Sequence, residues 1–210
     1  MSSSTSDQGS LFIIAAPSGG GKTSLVNRLL KSDSRLVLSI SHTTRPARPG
    51  EVDGRHYNFV SEAEFRQMER KGVFLEHARV FDHYYGTNRH SVALQLEQGH
   101  DVILEIDWQG ARQVRESMPD AISIFILPPS VTELERRLRD RKTDSDEVIA
   151  RRLSDALGDM SHWNEFDFAI INDDLEKAVG QLEAVLAGDG ETSRVGHSDL
   201  DAAVLKVIRS

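Results

Sequence analysis

A glycine-rich stretch near the start of the chain has the residue types that bind a polyphosphate. Residues 16–23 read Ala-Pro-Ser-Gly-Gly-Gly-Lys-Thr. They follow the pattern G-x-x-x-x-G-K-[ST] except at the first position, which holds a small alanine. Glycines let backbone N–H groups turn toward phosphates, and a helix that starts there adds free N–H groups. Lys22 would reach the β- and γ-phosphates and Thr23 would ligate Mg²⁺. The alternative is a strand-to-helix turn that binds nothing.

A second set of polar residues suggests a second phosphate and a flat ring. Arg45 and Arg48 stand among prolines in residues 41–50, a stretch rich in Pro, Gly and hydroxyl groups that we predict to be loop. Two arginine forks on a rigid segment suit a phosphate. Tyrosines and a threonine then surround one carboxylate: Tyr57, Glu76, Tyr84, Tyr85 and Thr87. These residues could form a pocket for a heterocycle, or the tyrosines could be ordinary core.

Two acidic residues end a predicted strand. Residues 101–107 read Asp-Val-Ile-Leu-Glu-Ile-Asp, an apolar run that predicts a buried strand. Glu105 and Asp107 would share a side-chain direction and emerge at the carboxyl edge of the sheet, where open α/β sheets bind ligands. We expect them to organise Mg²⁺ and its waters. The alternative is that they only close the strand.

Arginines are concentrated in residues 133–153. Arg137 and Arg141 are four residues apart and would share a helix face. Residues 143–147 would break the helix. Two arginine-bearing helices joined by a short hinge predict a lid that closes over ATP. The alternative is a solvated helix face, because acidic residues lie between the arginines: Glu133, Glu135 and Asp140.

Apolar runs predict the strands that position these residues: 11–16, 36–40, 101–107, 121–127 and 166–171. Helical segments lie between them, the first at 22–31. This alternation predicts an α/β fold with a mostly parallel central sheet and helices on both faces.

Two regions depart from that alternation. Residues 55–88 predict a small α+β subdomain, with a helix at 62–70 and short strands at 73–81 and 84–87. Near the end of the chain, apolar residues at helical spacing predict an amphipathic helix over about 199–209, after a Gly/Ser/Asp linker at 188–196.

The composition restricts the class of protein. The chain has 210 residues, 39% hydrophobic and 28% charged, which suits one α/β domain with insertions. No run is long and apolar enough for a membrane helix, and the Ser-rich start lacks the regions of a secretory signal. The absence of cysteine excludes disulfides and fits a cytoplasmic protein. A net charge of −8 disfavours binding to nucleic acid or an anionic membrane.

Together these motifs resemble guanylate kinase of the bacterial type over about residues 10–187. The segments that carry the resemblance lie at 18–23, 41–57, 74–76, 84–87, 104–110 and 171–175. The resemblance implies a three-layer P-loop kinase fold with an inserted GMP-binding subdomain and a helical lid. It also implies that ATP and GMP give ADP and GDP with Mg²⁺ present, and dGMP could be a further acceptor.

The resemblance implies the domain boundaries as well. A disordered tail would span 1–9, a guanylate kinase-like domain 10–187, and a flexible linker with a short helix 188–210. Within the domain, the core would comprise 10–40 and 96–187, the GMP-binding subdomain 41–95, and the lid about 137–152.

Residue roles follow from the same resemblance. The GMP phosphate would be held by Arg45, Arg48, Tyr57 and Tyr85. The guanine would be read by Ser41, Glu76 and Thr87, with Asp107 nearby. ATP would be bound by Ala16, Pro17, Ser18, Gly19, Gly20, Gly21, Lys22, Thr23, Ser24 and Asn172. The lid arginines Arg137, Arg141 and Arg152 would act with Lys22 and Arg45 on the transferred group.

Hydrogen-bond chemistry supports guanine at Glu76. Guanine presents N1–H and N2–H₂ as adjacent donors, and a carboxylate accepts both. Adenine has a lone pair at N1 and would leave the carboxylate unpaired, a mismatch that can reject the wrong base by about 10⁴-fold. The hydroxyls of Ser41 and Thr87 could donate to O6.

Three other functions remain alternatives. A kinase for a different nucleotide is disfavoured by Glu76. A non-catalytic peptide-binding module of the guanylate kinase type would have a degraded phosphate loop, whereas Gly21, Lys22 and Thr23 are intact. A nucleic-acid-binding ATPase fits the charge poorly. We therefore predict GMP and ATP as partners, with no nucleic acid, no membrane and no metal site of protein ligands alone. The chain could form a homo-oligomer.

Overall fold

The computed structural model describes residues 8–80, 82–140 and 145–209. In these ranges the strands are β1 (Leu11–Ala15), β2 (Leu36–Leu38), β3 (His42–Thr43), β4 (Asn58–Phe59), β5 (Phe74–Val80), β6 (His83–Asn88), β7 (Asp101–Glu105), β8 (Ile122–Leu127) and β9 (Phe168–Ile171). The helices are α1 (Lys22–Ser32), α2 (Glu62–Arg70), α3 (Arg89–Glu97), α4 (Trp108–Ser117), α5 (Val131–Asp140), α6 (Asp146–Met160), α7 (Leu175–Leu186) and α8 (Ser198–Ile208). Short 3₁₀ helices occupy Trp163–Glu165 and Glu191–Ser193.

The larger sheet has the strand order β2-β7-β1-β8-β9. The pairs β2–β7 and β8–β9 are parallel. Every residue of β1 and all but the first of β8 are buried, as expected for strands covered on both faces. The predicted α/β fold with a mostly parallel central sheet is confirmed. Within the described ranges, no helix is both long and apolar enough to cross a membrane.

The chain divides into two compact units. The first comprises the described residues up to Phe12 and Ser34–Ala121. It contains a four-stranded sheet in the order β4-β3-β6-β5, in which β3–β4 is parallel and the other pairs are antiparallel. Phe65 of α2 stacks on Phe74 of β5, with ring centroids 4.5 Å apart. This aromatic packing holds the helix on the small sheet.

The strand β3 corrects the prediction that residues 41–50 are loop. Thr43 is fully buried, and its backbone lies opposite Tyr85 of β6 and Phe59 of β4. The two prolines and the glycine of this stretch indicate only local breaks in regular structure. The pairing comes from strands distant in sequence, which local composition does not reveal.

The second unit comprises Ile13–Asp33 and the described residues from Ile122 onward. In it α1 contacts α7, and α5 contacts α6. The C-terminal helix α8 lies within one residue of the predicted bounds. On its apolar face, Val204 and Val207 are buried. The segment before α8 also makes contacts, because Ser193 is buried and Val195 N donates to Asp167 O at 3.0 Å.

Several predicted boundaries were wrong, and two have a local cause. Asp167 accepts from both the backbone N and the hydroxyl of Ser123, so β9 starts after it at Phe168 instead of at 166. The Asn88 side chain accepts from Ser91 N and caps α3, so β6 ends at Asn88 instead of 87 and α3 starts at residue 89. The strand β2 ends at residue 38 instead of 40.

The N-terminal boundary also differs. Gly9 N donates to Leu96 O at 3.0 Å. Backbone contacts to α3 therefore begin before residue 10, the predicted start of the domain.

Candidate functional site

Three of the predicted guanine-reading residues lie in one row across the small sheet. The register pairs Glu76 of β5 with Thr87 of β6, and His42 of β3 with Gly86. Ser41 directly precedes β3, and extending the register by one residue places its backbone opposite Thr87. Antiparallel pairing thus brings together residues that are far apart in sequence.

Glu76 is a buried carboxylate at the end of this row. It is 3% exposed, and the Thr87 hydroxyl donates to Glu76 Oε1 at 2.5 Å. A carboxylate is rarely buried so fully without polar partners. The single proton of Thr87 is committed to Glu76, so the predicted donation from Thr87 to guanine O6 is not available in this arrangement.

Gly110 of α4 provides the space that Glu76 occupies. A Cβ at Gly110 would lie 2.4 Å from Glu76 Oε2, much closer than van der Waals contact. Asp107 starts the same helix, since its Oδ1 accepts from Gly110 N at 2.7 Å. Asp107 is therefore the N-cap of α4. The prediction that it ends the strand is wrong, because β7 ends at Glu105 and strand alternation does not extend to Asp107.

Arg45 and Arg48 are organised by Glu51, which the sequence did not single out. Arg45 Nη2 donates to Glu51 Oε1 at 2.8 Å, and the backbone N of Arg48 donates to Glu51 Oε2 at 2.7 Å. The Arg45 guanidinium lowers the pKa of Glu51 and its own pKa is raised in return. The guanidinium carbon also lies 5.4 Å from the Tyr57 ring centroid and 5.8 Å from that of Phe59. Arg45 is thus held in place, whereas the side chain of Arg48 is exposed.

The three tyrosines make two different sets of contacts. Tyr57 and Tyr85 pack edge to face with ring centroids 6.0 Å apart. Burial raises the pKa of Tyr57 to about 12, so the phenol keeps its proton at neutral pH and can donate to a phosphate. Tyr84 instead packs on Phe65 and accepts a hydrogen bond from Arg66. Tyr84 is half-buried and takes part in the packing of α2 on the small sheet.

The glycine-rich loop lies in the second unit and is braced by Asn172. Gly21 has φ of 92° and, as a glycine, offers no side-chain cap to α1. Asn172 is 6% exposed, and its Nδ2 donates to Gly20 O at 3.0 Å. A Cβ at Gly21 would lie 2.3 Å from that nitrogen. Glycine is therefore required there both for its backbone angle and for space. Lys22 and Thr23 begin α1.

Arg137 is brought to this loop by α5. Its Nε donates to Glu133 Oε1 at 2.8 Å and its Nη2 to Asn172 O at 3.0 Å. Glu133 also binds Arg136, and the two guanidinium groups lower the pKa of Glu133 to about 2. Glu133 is thus a second orienting carboxylate. It stands four residues before Arg137, a spacing that identifies such pairs on a helix.

Of the other two predicted lid arginines, one lies within the described residues. Arg152 lies on α6 and is partly exposed. Arg141 lies outside the described residues.

The arrangement is compatible with a magnesium ion that arrives with a nucleotide. The Thr23 side chain is exposed in the first turn of α1, beside the loop. Its hydroxyl fits the role of one oxygen ligand. No cluster of three or more His, Asp or Glu side chains that could hold a metal was found in the part of the chain that the structure describes.

Comparison with known proteins identifies the family. The family model described as guanylate kinase matches residues 8–189. The chain belongs to the guanylate kinase family. Curated guanylate kinases are similar over most of their length: that of Nitrosococcus oceani is 60% identical over 178 residues, 85% of this chain and 88% of the relative. That of Hydrogenovibrio crunogenus is 58% identical over 177 residues, 84% and 86% of the two chains.

Solved structures agree with this membership. The guanylate kinase of Anaplasma phagocytophilum has a TM-score of 0.74 and 34% identity, covering 92% of this chain and 94% of that one. A shikimate kinase from Bacteroides thetaiotaomicron has a TM-score of 0.52 at 17% identity, over 85% of this chain and 98% of that one, and shares the fold alone.

Proposed function

We propose that the protein transfers the γ-phosphoryl group of ATP to GMP, giving ADP and GDP, and that it accepts dGMP as well. The observation that carries this function is the buried Glu76, held by Thr87 in a row with Ser41. An ionised carboxylate in that position accepts from guanine N1–H and N2–H₂. Thr87 orients Glu76, and Ser41 donates to O6.

The GMP phosphate would be bound on the same unit. Arg45, oriented by Glu51, presents a fixed guanidinium, and the exposed Arg48 can reach the same anion. The protonated Tyr57 and its neighbour Tyr85 add hydroxyl donors. Charged and neutral donors together hold a phosphate by several hydrogen bonds, of which those from arginine are the strongest.

The second unit would bind ATP. The backbone N–H groups of the loop and of α1 would surround the β- and γ-phosphates, and Lys22 would place its charge beside them. Arg137 already lies at Gly21, with Nη1 3.7 Å from where a Cβ on that glycine would stand. We propose that Arg141 and Arg152 join it when ATP is bound. The hydroxyl of Thr23 would ligate Mg²⁺.

Phosphoryl transfer depends on positioning and charge neutralisation more than on a chemical base. Mg²⁺ bound with ATP supplies charge neutralisation at the phosphates. The chain contributes Lys22 and the lid arginines on the ATP side, and Arg45 to aim a GMP phosphate oxygen at the γ-phosphorus. Exclusion of water by the lid would prevent hydrolysis of ATP. This activity belongs to purine nucleotide metabolism, and we propose a cytoplasmic location on the basis of the cysteine-free sequence.

A coupled assay that measures ADP formation with several acceptors tests the proposal. Turnover is expected with GMP and dGMP and much less with AMP, UMP and dTMP. IMP, which lacks the 2-amino group, should fall between these groups. Titration with ATP separates an enzyme from a peptide-binding module, because the module would not bind the nucleotide. Equal rates with GMP and AMP, or failure to bind ATP, would contradict the proposal.

A further inference from the structure

The outer edge of β5 is bound by a glutamine side chain. In the order β4-β3-β6-β5 this strand is at the end of its sheet. Gln113 of α4 accepts from His77 N at 3.0 Å through Oε1, and its Nε2 donates to His77 O at 2.8 Å. Because the N–H and C=O of one residue point to the same side of an antiparallel strand, both groups of His77 face away from β6. Gln113 thus takes the place that a neighbouring strand would fill.

His77 directly follows the base-reading carboxylate. The pairing of β5 with β6 is irregular between Phe74 and Glu76. The hydrogen bonds to β6 therefore constrain the position of this part of β5 less than a regular ladder would. A pair of hydrogen bonds at His77 fixes the backbone one residue beyond Glu76. The side chain of Glu76 then leaves from a defined point on the strand.

The same helix sets the space around the carboxylate. Gly110 and Gln113 are three residues apart and lie on one face of α4. Gly110 provides the gap in which Glu76 Oε2 lies, and Gln113 ties that face of the helix to the strand. One helix face therefore determines both the room for the carboxylate and its distance from α4.

We infer that Gln113 is a positioning residue for guanine recognition, which holds β5 against α4 so that Glu76 can accept from N1–H and N2–H₂ together. The inference rests on the proposed GMP kinase activity. It assigns no contact with the nucleotide to Gln113, which acts through His77 and Glu76.

The test compares Gln113→Met with Gln109→Met. Methionine matches the length of glutamine and makes neither hydrogen bond. Gln109 lies on the same helix with an exposed side chain, so its substitution is a matched control. For Gln113→Met we expect the KM for GMP to rise about tenfold with the KM for ATP unchanged. The ratio of kcat/KM for GMP over IMP should also fall, because only GMP uses both acceptor contacts of Glu76. Gln109→Met should match the wild type.

A second variant, Gln113→Asn, controls for a general loss of structure. Gln113→Asn keeps the amide oxygen and the amide nitrogen on a side chain that is one methylene shorter. Its KM for GMP should lie between those of the wild type and Gln113→Met. An unchanged GMP/IMP ratio in both Gln113 variants, or a parallel rise in the KM for ATP, would overturn the inference. Absence of GMP phosphorylation by the wild-type chain would instead contradict the proposed function.

Discussion

The two proposed nucleotide sites are built from different parts of the chain. On the GMP side, recognition depends on side chains brought together from β3, β5, β6 and the 41–57 segment. On the ATP side, a continuous loop offers its own backbone, and one residue, Asn172, braces it. A site made of distant side chains depends on tertiary packing for its geometry. A backbone loop is set mainly by its glycines.

The carboxylates that orient an arginine, Glu51 on the GMP side and Glu133 on the ATP side, differ in their exposure to water. Glu51 and Arg45 have side chains 18% and 10% exposed, and Glu51 also binds the backbone of Arg48. Glu133 and Arg137 are 25% and 24% exposed, and Glu133 is shared with Arg136. The pair on the GMP side is better shielded from water, and its carboxylate binds one guanidinium group where Glu133 binds two. Its loss should therefore matter more.

The largest expected effect is on the ATP side and concerns charge. Lys22→Ala removes the ammonium group that faces the β- and γ-phosphates, and kcat should fall about 10³-fold or more. The matched control is Lys31→Ala in the last turn of the same helix, which should retain activity. Circular dichroism should show both variants folded. Near-wild-type turnover by Lys22→Ala would remove the phosphate role of the loop.

On the GMP side, Glu76→Gln should act on one substrate only. The amide group would turn a donor toward the N–H groups of guanine, and kcat/KM for GMP should fall about 10²-fold. The KM for ATP should stay within a factor of about two, because ATP is bound by the other unit. Steady-state kinetics with each substrate varied in turn measures both. If the GMP constants do not change, another residue reads the base.

Glu51→Gln tests the shielded pair. Glutamine has the same size as glutamate but is neutral, so the variant loses the ion pair with Arg45. The KM for GMP should therefore rise about tenfold. Guanosine has no phosphate, and its dissociation constant should not change. Calorimetric titration with both ligands separates the two effects. A lower KM for GMP would mean that the negative charge of Glu51 hinders phosphate binding more than its hydrogen bonds help.

The sequence predicted the ATP side more completely than the GMP side. The loop is contiguous, and the Glu133–Arg137 pair follows helical spacing, so local patterns suffice for both. The strand β3 and the ties to Glu51 and Gly110 depend on which segments pair in three dimensions. Residue types still indicated Arg45, Glu76 and Tyr57 correctly as members of one unit. The capping role of Asp107 could have been found, because an aspartate before a helix is a common N-cap.

The smallest expected effect comes from Glu133→Gln, the counterpart of Glu51→Gln on α5. In the variant Arg137 keeps its hydrogen bond to Asn172 O. The ion pair that is lost is weak in the wild type, because water screens it. The KM for ATP should therefore rise only about threefold, with the KM for GMP unchanged. The pH dependence follows from the pKa of Glu133, about 2, which lies below the ordinary value for glutamate. A depressed pKa means that the contribution of the pair to stability is fully present above about pH 5 and is lost as the pH falls toward 2. Thermal unfolding of the wild type and of Glu133→Gln at pH 7 and at pH 3 measures this. The difference between their melting temperatures should be smaller at pH 3. A larger effect of Glu133→Gln than of Glu51→Gln on the respective KM would reverse the comparison, because exposure to water would then not determine how much an orienting carboxylate contributes.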